Sequence, residues 1–199
     1  MVLLSALYFP PIEYFSILFQ NKESCIDLGE NYVKQSYRNR CKILTSTGVQ
    51  NLIVPVKSYG NHTALKEILI DYDMDWQKNH YKSLETAYNK SPFFLYYKDD
   101  LQKFFFDKKY KYLHELNLEI LDYFCKIFQI KTKLGILEDF VENSEPENDF
   151  RDNISPKRES MFSQKQYTQT FGNDFQPNLS CLDLLFNTGN EAYSYLISR

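Results

Sequence analysis

The chain has few of the residues from which metal and disulfide sites are usually built. Its three histidines and four cysteines are scattered: His62, His80 and His114, and Cys25, Cys41, Cys125 and Cys181. No pair of cysteines has the C-x-x-C spacing of zinc or redox motifs, and most of them lie in apolar runs. We therefore expect no metal site, and we interpret the cysteines as reduced residues of the core.

Long apolar runs and an excess of positive charge are also absent from the sequence. No segment approaches the roughly 18 apolar residues of a membrane span. Residues 3–7 are mostly apolar, but they lack the basic start of a secretory signal, and Pro10 and Pro11 soon interrupt the run. The formal net charge of −3 leaves no basic footprint for binding nucleic acid. These absences predict a cytoplasmic protein with no membrane span and no nucleic-acid partner.

Apolar and aromatic side chains, by contrast, are abundant enough for a core. With 199 residues and 43% apolar side chains, the chain is long enough for one domain. The patterns predict an α/β fold, in which a small mixed sheet in the N-terminal third precedes a helical half. A C-terminal helix is expected to dock back on the core. The predicted parts of this single domain (1–199) are a strand-rich part (1–75), a helical part (76–130), an acidic mobile linker (138–164) and a closing motif (165–199).

Local patterns define several of these elements. A short apolar strand at the N-terminus is followed by Pro10-Pro11 and a helix, and a helix start beside a strand end is typical of anion sites. Gly48 lies between two apolar runs and predicts a hairpin, and residues 66–72 predict a further strand. Helices are predicted from near Trp76, and at about residues 98–106 and 109–128.

The most distinctive stretch of the sequence is basic. Residues 32–44 contain four cations just before an apolar run: Lys34, Arg38, Arg40 and Lys42. If a strand begins near Arg38, side-chain alternation places Arg38, Arg40 and Lys42 on one face and buries the other face. Two arginines at this spacing can bind one carboxylate or phosphate group from the same side. The alternative is a basic sheet face that is simply solvated.

Two polar residues fall on otherwise apolar helix stripes. His80 belongs to the stripe of the helix that begins near Trp76, where a histidine is either a catalyst or a hydrogen-bonded core residue. Asn117 interrupts the stripe of the last long helix, so it either fixes helix packing or reaches into a site. The sequence leaves both alternatives open.

Several short motifs follow one another in a recognisable order. The chain opens with Tyr8-Phe-Pro-Pro-Ile-Glu-Tyr-Phe15, continues with Lys34 and Asn39-Arg40, and then has Val54-Pro55-Val56. Later motifs are Asp75-Trp76, His80, Ala87-Tyr88, and a close with Tyr167, Gln169, Phe171 and residues 177–180 and 183–187. By their order and spacing, these motifs resemble the WbqC-like protein family, named from genes of O-antigen and other surface-polysaccharide clusters. Two departures are the spread pair Asp27 and Glu30, where many members have Asp-Asp, and the acidic linker in place of a glycine-containing segment.

This resemblance implies a biosynthetic context more than one particular reaction. It favours a group-transfer enzyme that acts on an activated, phosphate-bearing donor, either a sugar nucleotide or an acyl-coenzyme A. In that interpretation His80 or Asp27 is the acid or base, and the basic stretch binds phosphate. The predicted substrate-binding residues are Tyr8, Lys34, Tyr37, Arg38, Asn39, Arg40, Trp76 and Asn117. The alternative is a non-catalytic ligand-binding or scaffold protein that keeps the pocket; the cofactor and the oligomeric state stay open.

Overall fold

The main sheet of the protein has three parallel strands. In a computed structural model that describes residues 1–107, 109–142, 146–160 and 162–197, the strand order is β1 (Val2–Leu4), β2 (Glu23–Asp27), β5 (Lys133–Leu137). The central strand β2 pairs with both neighbours. Because the three strands run in the same direction, their carboxyl ends share one edge of the sheet, where ligands commonly bind in α/β proteins. Asp27 lies at that edge.

A separate two-stranded hairpin carries the last part of the basic stretch. Its antiparallel strands are β3 (Arg40–Thr45) and β4 (Gly48–Ile53), and φ of Gly48 at the turn is +108°. The hairpin predicted from this glycine is confirmed, since glycine adopts positive φ without steric cost. Side chains alternate along β3 as expected: Arg40 and Lys42 are half-buried, whereas Cys41 and Ile43 are buried on the other face. The strand begins at Arg40, so Arg38, which was predicted to share the basic face, lies outside the strand and is buried.

Helices cover much of the rest of the chain. The α-helices are α1 (Ile12–Gln20), α2 (Trp76–Tyr88), α3 (Phe94–Gln102), α4 (Leu113–Ile127) and α5 (Cys181–Thr188). α3 continues into a π-helical turn, Lys103–Asp107, and 3₁₀ segments occur at Leu65–Glu67, Pro146–Asn148 and Gly189–Tyr195. Within the described ranges, none of these helices is long and apolar enough to cross a membrane.

The helix predicted from Trp76 is confirmed, and its buried residues form one face. These residues are Trp76, His80, Tyr81, Leu84, Ala87 and Tyr88. Their spacing of three or four residues is the repeat that places side chains on the same side of a helix. His80 therefore lies in the core-facing stripe, as its position in the sequence predicts.

Two segments differ from the predictions. Residues 66–72 do not form a strand, because after the 3₁₀ turn Ile70 and Leu69 form only isolated bridges, to Val56 and Tyr112 respectively. β5 is not predicted from the sequence. Its residues are exposed or half-buried, so an edge strand of this kind shows little of the apolar alternation on which strand prediction depends.

The C-terminal helix docks on the core through backbone as well as side-chain contacts. The Ser180 side chain accepts a hydrogen bond from the Leu182 amide and caps α5. The Cys181 amide donates to the Pro10 carbonyl at 2.9 Å, just before α1. α5 also packs against α3 and β3. The predicted α/β class, with a C-terminal helix packed back on the core, is therefore confirmed.

Candidate functional site

The carboxyl edge of the parallel sheet holds a buried ion-pair network. Asp27 is fully buried, and its Oδ1 accepts hydrogen bonds from the amides of Gly29 and Glu30 at 2.9 and 3.1 Å. Its Oδ2 pairs with Arg151. Arg151 Nε also donates to both carboxylate oxygens of Asp149, at 2.9 and 3.1 Å, and this hydrogen bonding holds the pKa of Asp149 below its ordinary value. Arg151 is thus held between two carboxylates.

A second ion pair, between Glu30 and Arg38, lies beside the first. Arg38 donates from Nε and Nη2 to the two Glu30 oxygens at 2.9 and 2.5 Å, and the two side chains are only 3% and 5% exposed. Arg38 also donates to the backbone carbonyl of Arg151 at 3.3 Å. A bidentate pair buried to this extent neutralises Arg38 within the protein. Substrate binding by Arg38 stays a prediction, but its charge already has a partner.

Arg151 completes this network, and it belongs to residues 138–164, which were predicted only as an acidic linker. Arg151 is 8% exposed in the structure. Gly29 makes room for the same segment, because a β-carbon there would lie 2.0 Å from the Phe140 amide nitrogen. A cavity of 470 Å³ beside the network is lined by Glu30, Arg38, Asp149, Arg151 and Asp152. The mobility of residues 138–164 stays a prediction; the contacts of Arg151 join this segment to the end of β2.

Three of the predicted site residues, Tyr8, Trp76 and His80, come together in a buried aromatic cluster. The Tyr8 hydroxyl lies 3.0 Å from His80 Nδ1. The Trp76 ring lies 5.2 Å from the His80 ring and 6.4 Å from the Tyr8 ring. All three residues are at most 6% exposed, and Trp76 Nε1 has no hydrogen-bond partner in the described part of the chain. The cluster is closed to solvent.

Burial sets the protonation state of His80. It lowers the pKa of His80 from 6.5 to about 4, and a hydrogen bond with the Ile53 backbone opposes this shift only in part. His80 is therefore neutral at pH 7. A neutral imidazole offers one donor and one acceptor, and contacts with Ile53 and Tyr8 engage the ring. This geometry matches the core alternative, and a catalytic role for His80 stays a prediction.

The two predicted asparagines serve backbone groups. Asn117 Nδ2 donates to the carbonyls of Ala6 and Arg38 at 3.0 and 2.8 Å, so it ties α4 to the segments after β1 and before β3. Asn39 Nδ2 donates to the Val54 carbonyl at 2.9 Å. The Oδ1 atoms of both are buried without a partner among the described residues. Hydrogen bonds to backbone carbonyls therefore satisfy both Nδ2 atoms, whereas the two Oδ1 atoms can still accept a hydrogen bond.

Lys34, Arg40 and Tyr37 complete the predicted set, and Tyr37 joins the aromatic cluster through its backbone, because its carbonyl accepts a hydrogen bond from the Tyr8 amide at 2.9 Å. Lys34 is exposed, and Arg40 is half-buried with an Nε that no other described residue contacts by a hydrogen bond. Tyr37 is 3% exposed, and its ring centre lies 5.8 Å from Lys42 Nζ.

Nowhere in the described ranges do three or more His, Cys, Asp or Glu side chains converge as metal ligands.

A cleft beside Tyr37 gathers positive charge. Its volume is 650 Å³, and we call it the basic cleft, defined by Tyr37, Lys42, Lys157, Arg158, Glu159, Phe162 and Leu179. Lys42 Nζ lies 3.4 Å from the Pro156 carbonyl, and Arg158 Nη1 donates to Asn153 Oδ1 at 2.7 Å. Among the described residues, Lys42, Lys157 and Arg158 form no salt bridge. Three cations and one glutamate give the lining a net charge of +2.

The start of α1, by contrast, has no amides to offer to an anion. The Ile12 amide donates to the Leu179 carbonyl at 3.0 Å, and the Glu13 amide donates to Asn178 Oδ1 at 3.0 Å. Segments of the closing motif thus occupy the donors that a ligand would need. Most junctions between a strand end and a helix start hold no ligand, and these contacts favour that alternative for α1.

A further buried carboxylate lies in the closing motif. Asp183 is fully buried and accepts from the hydroxyls of Tyr88 and Tyr167, at 2.9 and 2.6 Å, and from Gln169 Nε2 at 3.1 Å. Burial raises the pKa of Asp183, and these hydrogen bonds oppose the increase. The donors come from α2 and from the segment before α5, so Asp183 joins the closing motif to the helical half.

Comparisons with known proteins agree with the motifs and place the chain in a family. The model of the WbqC-like protein family matches residues 6–161 and 147–195, and the chain belongs to that family. It is 30% identical over 219 residues to "Uncharacterized protein Rv1507c" of Mycobacterium tuberculosis (strain ATCC 25618 / H37Rv). That alignment covers 95% of this chain and 94% of the relative. No solved structure matches the chain. The family resemblance identified from the motifs is confirmed.

Proposed function

We propose that the protein is a group-transfer enzyme of surface-polysaccharide biosynthesis that holds an activated, phosphate-bearing donor in the basic cleft. The observation that supports the proposal is a difference between two groups of cations, one paired with carboxylates and one without such partners. Arg38 and Arg151 are neutralised by buried carboxylates, whereas Lys42, Lys157 and Arg158 line one cavity without a salt bridge in the described ranges. Unpaired positive charge at one place, in a protein of net charge −3, supports an anionic ligand there.

The size and lining of the basic cleft also support this proposal. Small-molecule sites usually have volumes of about 300–1,000 Å³, and the cleft has 650 Å³. Arg158 offers a planar fork of donors for phosphate oxygens, and the lysines act as point charges. The Tyr37 ring provides a rigid, flat wall against which an apolar part of a donor can pack.

Group transfer at this place needs an acid or a base within reach of the donor. Glu159 lines the basic cleft, and it is our first candidate for that role. Asp27 and His80 stay candidates from the sequence. Their contacts weigh against them, because Asp27 is engaged by two amides and Arg151, and His80 is buried and neutral.

The second candidate function is ligand binding without catalysis. The observation that favours it is the same engagement of Asp27 and His80, which leaves neither of them free to move a proton. A protein with an intact basic cleft and no active general base would bind the donor and release it unchanged.

Binding and turnover measured on one preparation separate these two functions. Sugar nucleotides, acyl-coenzyme A species and lipid-linked phosphates are titrated calorimetrically against the wild type, Lys42→Ala and the control Lys82→Ala, which removes an exposed lysine of α2. Lys42→Ala should weaken binding by roughly 10- to 150-fold, since a hydrogen bond to a charged group contributes ~1.5–3 kcal/mol. Lys82→Ala should bind as the wild type does.

Transfer assays on the same ligands then decide between enzyme and binding protein. Turnover that Glu159→Gln abolishes while binding persists supports the transferase. Binding without turnover supports the second function. Absence of binding by every anionic ligand, or equal binding by Lys42→Ala and Lys82→Ala, would overturn the basic cleft as the site.

A further inference from the structure

We infer that the ligand of the basic cleft is an amphiphile in which a phosphate head is joined directly to a hydrocarbon chain. This inference rests on the proposed function and adds the chemistry of the ligand's second half. Its basis is a neighbouring cavity of 530 Å³, which shares Arg158, Glu159 and Phe162 with the basic cleft. We call this cavity the apolar lobe, and its apolar walls are Ile17, Phe150, Ile154 and Phe162.

Most of the polar side chains around the apolar lobe, with the exception of Glu159, are engaged with the protein itself. Gln20 Nε2 donates to Ser16 Oγ at 2.9 Å, and Ser16 in turn donates to a backbone carbonyl at 2.6 Å. Asn153 Oδ1 accepts from Arg158 at 2.7 Å, and Asn153 Nδ2 donates to a backbone carbonyl at 2.9 Å. Glu13 accepts from a serine hydroxyl. A nucleobase, which needs hydrogen-bond partners along its edge, finds few here, and a hydrocarbon chain needs none.

Charge sets the direction of the ligand across the two cavities. The charged residues of the apolar lobe are Glu13, Glu159 and Arg158, which give a net charge of −1 and repel a phosphate. The basic cleft adds Lys42 and Lys157 and is net positive. The head therefore lies beside the lysines and the chain lies in the apolar lobe.

The shared wall of the two cavities sets the distance between head and chain. Arg158 and Phe162 belong to both linings, so a group that contacts Arg158 has hydrocarbon surface next to it. Coenzyme A thioesters separate their phosphates from the acyl chain by a long polar arm. The adjacency therefore favours an alkyl or isoprenoid phosphate over a thioester of that type.

The test is a calorimetric titration with n-alkyl phosphates of increasing length, each below its micelle concentration. Inorganic phosphate measures the head alone, and n-alkyl alcohols of matching length measure the chain alone. Each added methylene should raise the affinity of the alkyl phosphates about fourfold, the usual gain for burying one methylene. The gain should stop when the apolar lobe is full.

Two substitutions at one position test whether the hydrocarbon chain of the ligand lies in the apolar lobe. Ile17→Trp fills the lobe, and Ile17→Gln removes apolar surface without adding bulk, so one of them remains informative if the other disturbs folding. Both should flatten the dependence of affinity on chain length and leave the binding of inorganic phosphate unchanged. Phe19→Trp is the matched control on the same helix, because Phe19 is 37% exposed and outside the lobe lining. This control should keep the full dependence.

The outcomes distinguish the lobe from the cleft. If inorganic phosphate binds and longer chains add nothing, the inference about the chain is overturned and the anion cleft stands. If the alcohols bind as tightly as the phosphates, the basic cleft does not recognise the phosphate head. That result would overturn the inference and the proposed function. If Ile17→Trp and Phe19→Trp show the same dependence on chain length, the chain does not occupy the apolar lobe and the inference is wrong.

Discussion

Acidification should destabilise the folded protein through His80. Burial lowers the pKa of His80 to about 4 in the folded state, against an ordinary value of 6.5. As pH falls, the unfolded chain therefore takes up its proton first, and the equilibrium shifts towards unfolding. The stabilising contribution is complete above pH 6.5 and is lost as pH falls from about 6.5 to about 4. At about 1.36 kcal/mol per pKa unit, this loss amounts to about 3 kcal/mol.

Urea unfolding at several pH values across this window measures the effect. His80→Gln lacks the titrating ring, so the difference in free energy of unfolding between wild type and variant should shrink by about 3 kcal/mol as the pH falls. Tyr8→Phe is the matched control. This variant removes the contact between the Tyr8 hydroxyl and His80 but leaves the His80 ring buried. Burial is the main cause of the lowered His80 pKa. A difference that stays constant with pH would refute the reasoning, as would an NMR titration of His80 at its ordinary pKa.

Two further predictions concern buried carboxylates. Arg151→Ala should lower the free energy of unfolding by about 3 kcal/mol, the low end for breaking a buried pair, because two backbone amides still hold Asp27. Urea titration against Asp152→Ala, whose side chain is 78% exposed, checks this, and equal stability of the two variants would contradict it. Because burial raises the pKa of Asp183, the unfolded state ionises first as pH rises above the ordinary aspartate range, and stability falls until the folded carboxyl also ionises. Asp183→Asn should remove this fall in pH-dependent unfolding, and an unchanged slope would show that Asp183 is not its source.

The parts of the fold that local sequence patterns control were predictable. α2 begins at Trp76 because an apolar stripe starts there, and the hairpin turns at a glycine with positive φ. β5 was not predictable from its own residues. It is a strand because its backbone pairs with β2, and that partner lies more than 100 positions earlier in the chain. Pairing at such a distance leaves little trace in local periodicity.

The candidate site also has features that local sequence predicts and features that depend on tertiary contacts. Trp76 and His80 lie four positions apart on one helix, so their proximity followed from helical periodicity, and only the contact with Tyr8 is tertiary. The alternation of Arg40 and Lys42 was also predictable. The pairing of Arg38 with Glu30 depends on how the chain returns after the turn that follows β2, which is a tertiary feature. Lys157-Arg158 was missed because it lies in a segment dominated by acidic residues; the apolar residues on both sides of it, Ile154 and Phe162, were the available signal.

Whether a cation marks a ligand site depends on what has already neutralised it. Taking an arginine out of water costs several kcal/mol, and the protein recovers this only by giving it a carboxylate in good geometry. Arg38 and Arg151 meet that condition, so a ligand phosphate would have to compete with Glu30 and Asp27 for them. Lys42 avoids the cost by remaining half-buried in the lining of a cavity, where its charge attracts an anion without first losing a carboxylate partner. The basic stretch therefore has two roles along its length: buried Arg38 stabilises the sheet edge, and half-buried Lys42 supplies charge to the basic cleft.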